Sequence, residues 1–128
     1  MDALLNKGGR YLFAIPFAIF GLFHFMGAED MAGMVPLPGA IFWVYLTGVA
    51  LLAAAVSFII EKKVRLAGLL LGIMLIIFVL TIHLPAVMGE AGQDAMPNVL
   101  KDLALAGGAW FIASTYKDEN AAAPASDG

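Results

Sequence analysis

Four long apolar stretches separated by short polar connections dominate the pattern of this chain. They cover residues 11–27, 39–60, 66–85 and 98–115. An α-helix rises about 1.5 Å per residue, so helices of this length can cross the roughly 30 Å hydrocarbon core of a bilayer. The pattern predicts an all-α fold, an integral-membrane four-helix bundle formed by residues 1–117. The remainder, residues 118–128, is rich in Ala, Pro, Ser and Asp and is predicted to be a disordered tail.

Outside these stretches, basic and acidic residues are found at opposite ends of the predicted helices. The basic residues flank the two termini and the middle connection: Lys7, Arg10, Lys62, Lys63, Arg65 and Lys117. The other two connections carry acidic residues instead: Glu29, Asp30, Glu90 and Asp94. By the positive-inside rule the basic end is expected in the cytoplasm. The predicted topology is therefore multi-pass and N-in/C-in, with a cytoplasmic tail.

Composition agrees with a membrane protein and narrows its chemistry. Hydrophobic residues make up 62% of the 128 residues and charged residues 13%, which is too little polar surface for a soluble globule. The net charge of −3 gives no basis for nucleic-acid binding, so the lipid bilayer is the first expected partner. The chain has no cysteine, which excludes disulfides and thiolate-bound metals. Any redox chemistry must therefore belong to a bound cofactor or to a partner.

Four ionisable residues lie within the predicted helices, and all are near the acidic end: His24, His83, Lys101 and Asp102. Ionisable groups at membrane depth are costly and usually face the bundle interior or a cavity. For single residues simpler roles remain open, since Lys101 can reach water at the interface and Asp102 can favour its own helix N-terminus. Because three helices deliver polar groups at one depth, we predict a ligand-binding site formed by these four residues and Tyr45.

A quinone or another amphipathic small molecule fits this layer best. Histidine titrates near neutrality and an adjacent carboxylate can relay a proton, as quinone chemistry requires. The ring would be held by His24, His83 or Tyr45, and the tail would lie among apolar side chains. Two histidines and a carboxylate could also ligate zinc, copper or iron, but no helix carries a closely spaced ligand pair, so no metal is assigned. A channel or transporter is disfavoured because no ionisable group lies at mid-membrane.

Small residues recur at a spacing of four in the last two predicted helices. Gly68 and Gly72 form one pair, and Ala104 and Gly108 form the other. Such pairs let helix backbones approach closely, either within the chain or across a homodimer. Pro85 is expected to end the third helix.

Five short motifs, distributed from the first helix to the third, resemble those of a known family. They are GLFHF at 21–25, PLP at 36–38, YLTG at 45–48, RLAG at 65–68 and IHL at 82–84. With the four-helix pattern over residues 10–113, they resemble the DoxX family of small four-helix bacterial membrane proteins. Two features depart from that family. Many relatives carry a glutamate shortly after the glycine that matches Gly48, where this chain has Val49, Ala50, Leu51 and Leu52, and the C-terminal end lacks the Gly-rich, Asp-containing finish common in the family.

The resemblance implies an uncleaved bundle in the bacterial inner (plasma) membrane with a role in redox or oxidative-stress functions. Some relatives form the membrane subunit of a thiosulfate:quinone oxidoreductase, so the resemblance implies a subunit that works with a redox partner rather than an enzyme by itself. The resemblance also implies that His83 corresponds to the histidine that the family has in its third helix. The alternative is a non-catalytic accessory or scaffold subunit of a membrane complex.

Overall fold

The computed structural model describes residues 1–33, 35, 38–90 and 92–117, and the regular structure of these residues is entirely helical. The α-helices are α1 (Asp2–Met26), α2 (Ala28–Ala32), α3 (Ala40–Ile60), α4 (Val64–Phe78), α5 (Leu84–Met88) and α6 (Met96–Ser114). A π-helical segment (Val79–His83) joins α4 to α5, and a 3₁₀ turn (Gly92–Ala95) precedes α6. The predicted all-α class is confirmed for these residues. The predicted disordered tail, residues 118–128, lies outside them.

Three helical stretches are long and apolar enough to cross a membrane. They are α1, α3 and the continuous run from α4 to α5, Val64–Met88. The fourth long helix, α6, is not among them; it carries Asn98, Lys101 and Asp102 in its first half. The structure therefore supports a membrane protein, and the fourth crossing stays a prediction.

The outer faces of the long helices expose large apolar side chains. Leu12 on α1 is 78% exposed and Phe111 on α6 is 73% exposed. Exposed apolar surface of this kind marks contact with a membrane or with another protein. In a bilayer these side chains would contact lipid tails, and their apolar surface would not be exposed to water.

The helices pack as two antiparallel pairs around one core. α1 lies along α3, and α4 lies along α6. The predicted contact between the second and third long helices, α3 and α4, is present but less extensive than either pair. The buried core draws residues from all four long helices: Ala14, Phe17, Leu51, Ala54, Ala55, Phe58, Val64, Leu71, Leu75, Ala106 and Ala109.

Gly68 and Gly72 allow α4 and α6 to approach closely. A Cβ on Gly68 would lie 2.6 Å from the carbonyl oxygen of Ala109. At Gly72 the indole of Trp110 occupies the space of a side chain, and its Nε1 donates a hydrogen bond to the carbonyl of Leu69 at 3.1 Å. These two glycines thus serve packing within the chain, which was one of the two roles predicted for them.

The basic end is held together by a buried arginine. Arg10 is only 5% exposed; its Nε donates to Asn6 Oδ1 at 2.8 Å, and a second nitrogen donates to the carbonyl of Phe58 at 2.5 Å. Its third nitrogen lies 3.3 Å from a Glu61 oxygen, and the hydroxyl of Tyr116 lies 2.9 Å from the other. The cluster joins α1, the α3–α4 turn and the end of α6, so these three regions share one end of the molecule.

We predict that Gly68→Ala destabilises the protein and that Gly107→Ala does not. The first methyl would collide with backbone on α6, and overpacking of this kind costs about 1–3 kcal/mol. The second meets nothing within 4 Å, and alanine favours a helix over glycine. The free energy of unfolding of each variant in detergent micelles measures the difference. Equal stabilities would contradict the packing of α4 on α6.

We also predict an alkaline loss of the stability contributed by Tyr116. Burial raises the pKa of Tyr116 from its ordinary 10.0, and the hydrogen bond to Glu61 raises it further. The folded protein thus favours the neutral phenol, so this contribution is complete below the unfolded pKa and is lost as the pH rises through the folded pKa. Near pH 8, Tyr116→Phe should cost about 0.5–1 kcal/mol, and the difference from wild type should shrink above about pH 10.

Unfolding of the wild type and Tyr116→Phe at both pH values tests this expectation. Tyr11→Phe is the matched control, because no hydrogen bond of the Tyr11 hydroxyl is found within the part of the chain that the structure describes. A difference that stays constant with pH would contradict the role assigned to the phenol.

Candidate functional site

A π-helical segment determines the position of His83, and it shows that the predicted end of the third helix at Pro85 is wrong. The helix does not end at Pro85 as expected but continues through it to Met88. Pro85 lies inside this continuous helical run, directly after the π-helical segment, and donates no backbone hydrogen bond. The N–H of Leu84 donates to the carbonyl of Val79, five residues earlier, and this wider pattern lets the helix continue. His83 is the last residue of the segment, and π-helical insertions of this kind are frequent at functional sites.

His83 and Asp102 form a close pair between two helices. His83 Nε2 lies 2.9 Å from Asp102 Oδ2, and Lys101 Nζ lies 3.5 Å from Oδ1. Asp102 is 4% exposed, whereas the side chain of Lys101 is half exposed. A buried carboxylate needs such partners, because an unpaired charge away from water is costly. The structure thus brings together three of the residues that the sequence placed at one depth.

Phe20 connects this group to His24. Lys101 Nζ lies 5.5 Å from the centroid of the Phe20 ring, within the range of a cation–π contact. The same ring meets His24 edge to face, with centroids 5.0 Å apart. The apolar pattern of α1 does not distinguish Phe20 from its neighbours as such a link. Its spacing of four from His24, which puts both on one face of α1, was the available signal.

His24 is buried where α1 crosses α3. It is 8% exposed, and its Nδ1 lies 2.8 Å from the carbonyl oxygen of Phe20. A side chain on Gly48 would collide with it, since an added Cβ would lie 3.0 Å from the Cβ of His24. We refer to Phe20, His24, His83, Lys101 and Asp102 as the polar cluster.

Tyr45 lies apart from the polar cluster. Its ring stacks on Phe25 with centroids 5.6 Å apart. Both rings line an open groove of about 240 Å³ together with Met26, Gly27, Ala28, Glu29 and Asp30. This volume is below the roughly 300–1,000 Å³ of most small-molecule pockets. Within the described part of the chain, Tyr45 makes no hydrogen bond or ring contact with His24 or His83, so it belongs to a neighbouring surface.

The polar cluster has the chemistry of a hydrogen-bonding site. Across the described residues, no three His, Cys, Asp or Glu side chains form a group able to hold a metal ion. His83 and Asp102 instead form a histidine–carboxylate pair, in which the carboxylate fixes the orientation and proton position of the ring. Such a pair can bind a ligand and exchange a proton with it.

Comparison with known proteins finds no matching family model, no matching curated protein and no matching solved structure.

We predict that His83→Ala lowers stability and that His83→Gln retains most of it. The alanine leaves Asp102 buried with Lys101 alone, and a buried group that loses a hydrogen-bond partner costs about 1–3 kcal/mol. A glutamine amide can still donate to Asp102 from the position of Nε2. Unfolding free energies in micelles compare the two variants. Lys101→Ala is the control, with an expected cost below about 1 kcal/mol because Lys101 is half exposed.

If His83→Ala were no more harmful than Lys101→Ala, the His83–Asp102 contact would not contribute to folding.

Proposed function

We propose that this chain is a DoxX-like, four-span protein of the bacterial inner membrane that binds a quinone or another amphipathic small molecule in a redox-associated role. The observation that carries the proposal is the His83–Asp102 pair, a histidine–carboxylate contact in which His83 belongs to a helical stretch able to cross a membrane. The chain would act as the membrane subunit of a quinone-linked oxidoreductase, because it has no cysteine for redox chemistry of its own.

The surroundings of the pair suit an amphipathic ligand. Lys101 balances the charge of Asp102, and Phe20 offers a ring face beside it. Apolar side chains such as Phe23 and Leu84 are exposed close by in the sequence and would border the ligand tail. Tyr45 and its groove provide a second polar contact region at the end of α1.

The proposed topology has both termini in the cytoplasm and α6 as the fourth crossing. Contacts of Arg10 and Tyr116 with Glu61 support a common side for the termini and the middle turn. The positive-inside rule then assigns this end to the cytoplasm. Because α6 lies along α4, it would lie at the same depth, with Asp102 paired and Lys101 near the interface.

A non-catalytic accessory or scaffold subunit is the second candidate. It is favoured by the fact that Asp102 already has its partners within the chain, so a structural role would account for the polar cluster. A subunit of this kind would bind a redox partner, or a second copy, through its exposed apolar helix faces.

The experiment that separates the two compares ligands that co-purify with three proteins. These are the wild type, His24→Asn/His83→Gln, and the control Leu12→Ala/Leu66→Ala, whose exposed residues lie on the same two helical stretches as the histidines but toward the basic end. Asparagine and glutamine retain the donors to Phe20 and Asp102, so the variant should fold. Native mass spectrometry and solvent extraction of each sample identify what is bound.

We expect a quinone or similar molecule on the wild type and on the control, and its loss from the histidine variant. A wild type that carries no such molecule, or one that the histidine variant retains, would refute the binding proposal. A second polypeptide bound equally by all three proteins would then support the accessory subunit.

A further inference from the structure

The two histidines of the polar cluster each have one ring nitrogen fixed by a group that only accepts hydrogen bonds. His24 Nδ1 faces the carbonyl oxygen of Phe20 at 2.8 Å, so this nitrogen carries the hydrogen. His83 Nε2 faces the Asp102 carboxylate at 2.9 Å, so in this ring Nε2 carries the hydrogen. In a neutral imidazole the remaining nitrogen is an acceptor. His24 thus presents Nε2 as an acceptor, and His83 presents Nδ1.

Both acceptor nitrogens are open to a ligand. Neither has a hydrogen-bond partner within the described ranges. In the same residues, no buried side-chain nitrogen or oxygen lacks a partner. The two nitrogens must therefore reach the molecular surface, although His24 as a whole is more than nine-tenths buried. An accessible acceptor on a buried, fixed ring is suited to receive a hydrogen bond from a bound molecule.

The ring N–H donors of the cluster are already engaged, and Lys101 is the one side chain of the cluster that keeps N–H groups beyond its contact with Asp102. Lys101 is also the cluster's one cationic side chain, and its ammonium group lies against Asp102 and over the Phe20 ring. The ring N–H groups of both histidines face Phe20 and Asp102. A ligand carbonyl would meet two acceptors and a lysine that already has a carboxylate partner. A ligand hydroxyl would meet two unused acceptors.

We infer that the polar cluster recognises hydrogen-bond donors, so that among quinone-type ligands it selects the hydroquinone over the quinone. This inference rests on the proposed function and adds the redox state of the ligand. A hydroquinone has two hydroxyl groups that can donate to His24 or His83, whereas a quinone has only carbonyl acceptors. Each hydrogen bond contributes roughly a threefold to tenfold difference in affinity, so we expect the hydroquinone to bind about fivefold or more tightly.

The test measures binding of matched probes to the full chain in micelles by equilibrium dialysis. One pair is decylubiquinol and decylubiquinone under anaerobic conditions. The other is para-nonylphenol and its methyl ether, which differ in the donor alone and need no reductant. Wild type is compared with His24→Asn/His83→Gln, which keeps the internal hydrogen bonds and leaves no acceptor at the positions of His24 Nε2 and His83 Nδ1. His24→Gln restores an acceptor oxygen near the position of Nε2.

The wild type should bind decylubiquinol and nonylphenol more tightly than their partners. The double variant should lose this preference, and His24→Gln with wild-type His83 should keep it. Histidine-dependent binding of decylubiquinone as tight as that of decylubiquinol would overturn the inference and leave the proposed function standing. Failure of both members of each pair to bind would overturn both.

Discussion

The close approach of α4 and α6 is the constraint on which the rest of the structure depends. Gly68 and Gly72 leave no room for side chains, and Trp110 fills the space over Gly72 and donates a hydrogen bond to α4. These contacts fix both the distance and the register of the two helices. With that register set near the basic end, Asp102 arrives opposite His83 toward the other end. Loss of the glycine contact would therefore disturb the site as well as the packing.

Among the described residues, a buried charge with partners on other helices lies toward each end of the bundle. Arg10 connects α1 to the end of α3 and to Glu61, while Asp102 connects α6 to His83. A buried ion pair adds little net stability compared with apolar packing, but a buried charge without a partner is costly. We expect these charges to act mainly on specificity, since contacts between apolar side chains such as Leu and Ala depend less on the position of one helix along another. The contacts of Arg10 and Asp102 depend on that position more closely.

The features that the sequence predicted correctly are those that follow from hydropathy and from the thickness of a bilayer. Apolar runs located the long helices, and counting residues from the helix ends placed His83, Lys101 and Asp102 at one depth. Helix rotation is set by packing, so the pattern could not show that these three meet, or that Tyr45 turns toward Phe25 instead. Charge counting treated Arg10 as a signal for topology and missed its burial. The continuation through Pro85 depends on a local change in hydrogen bonding that hydropathy does not report.

The π-helical segment also bears on how chains of this kind can be aligned. It contains one residue more than an α-helical turn would need, and one residue corresponds to a rotation of about 100°. The stretch before it and the stretch after it are thus out of phase by a single position. A related chain that lacks one residue between Val79 and His83 would still form a long apolar helix, with an almost unchanged hydropathy profile. Because the wider π-helical turn takes up the extra residue, such a chain would still direct its histidine toward α6. A gap of one position in an alignment would therefore be needed to match its histidine with His83.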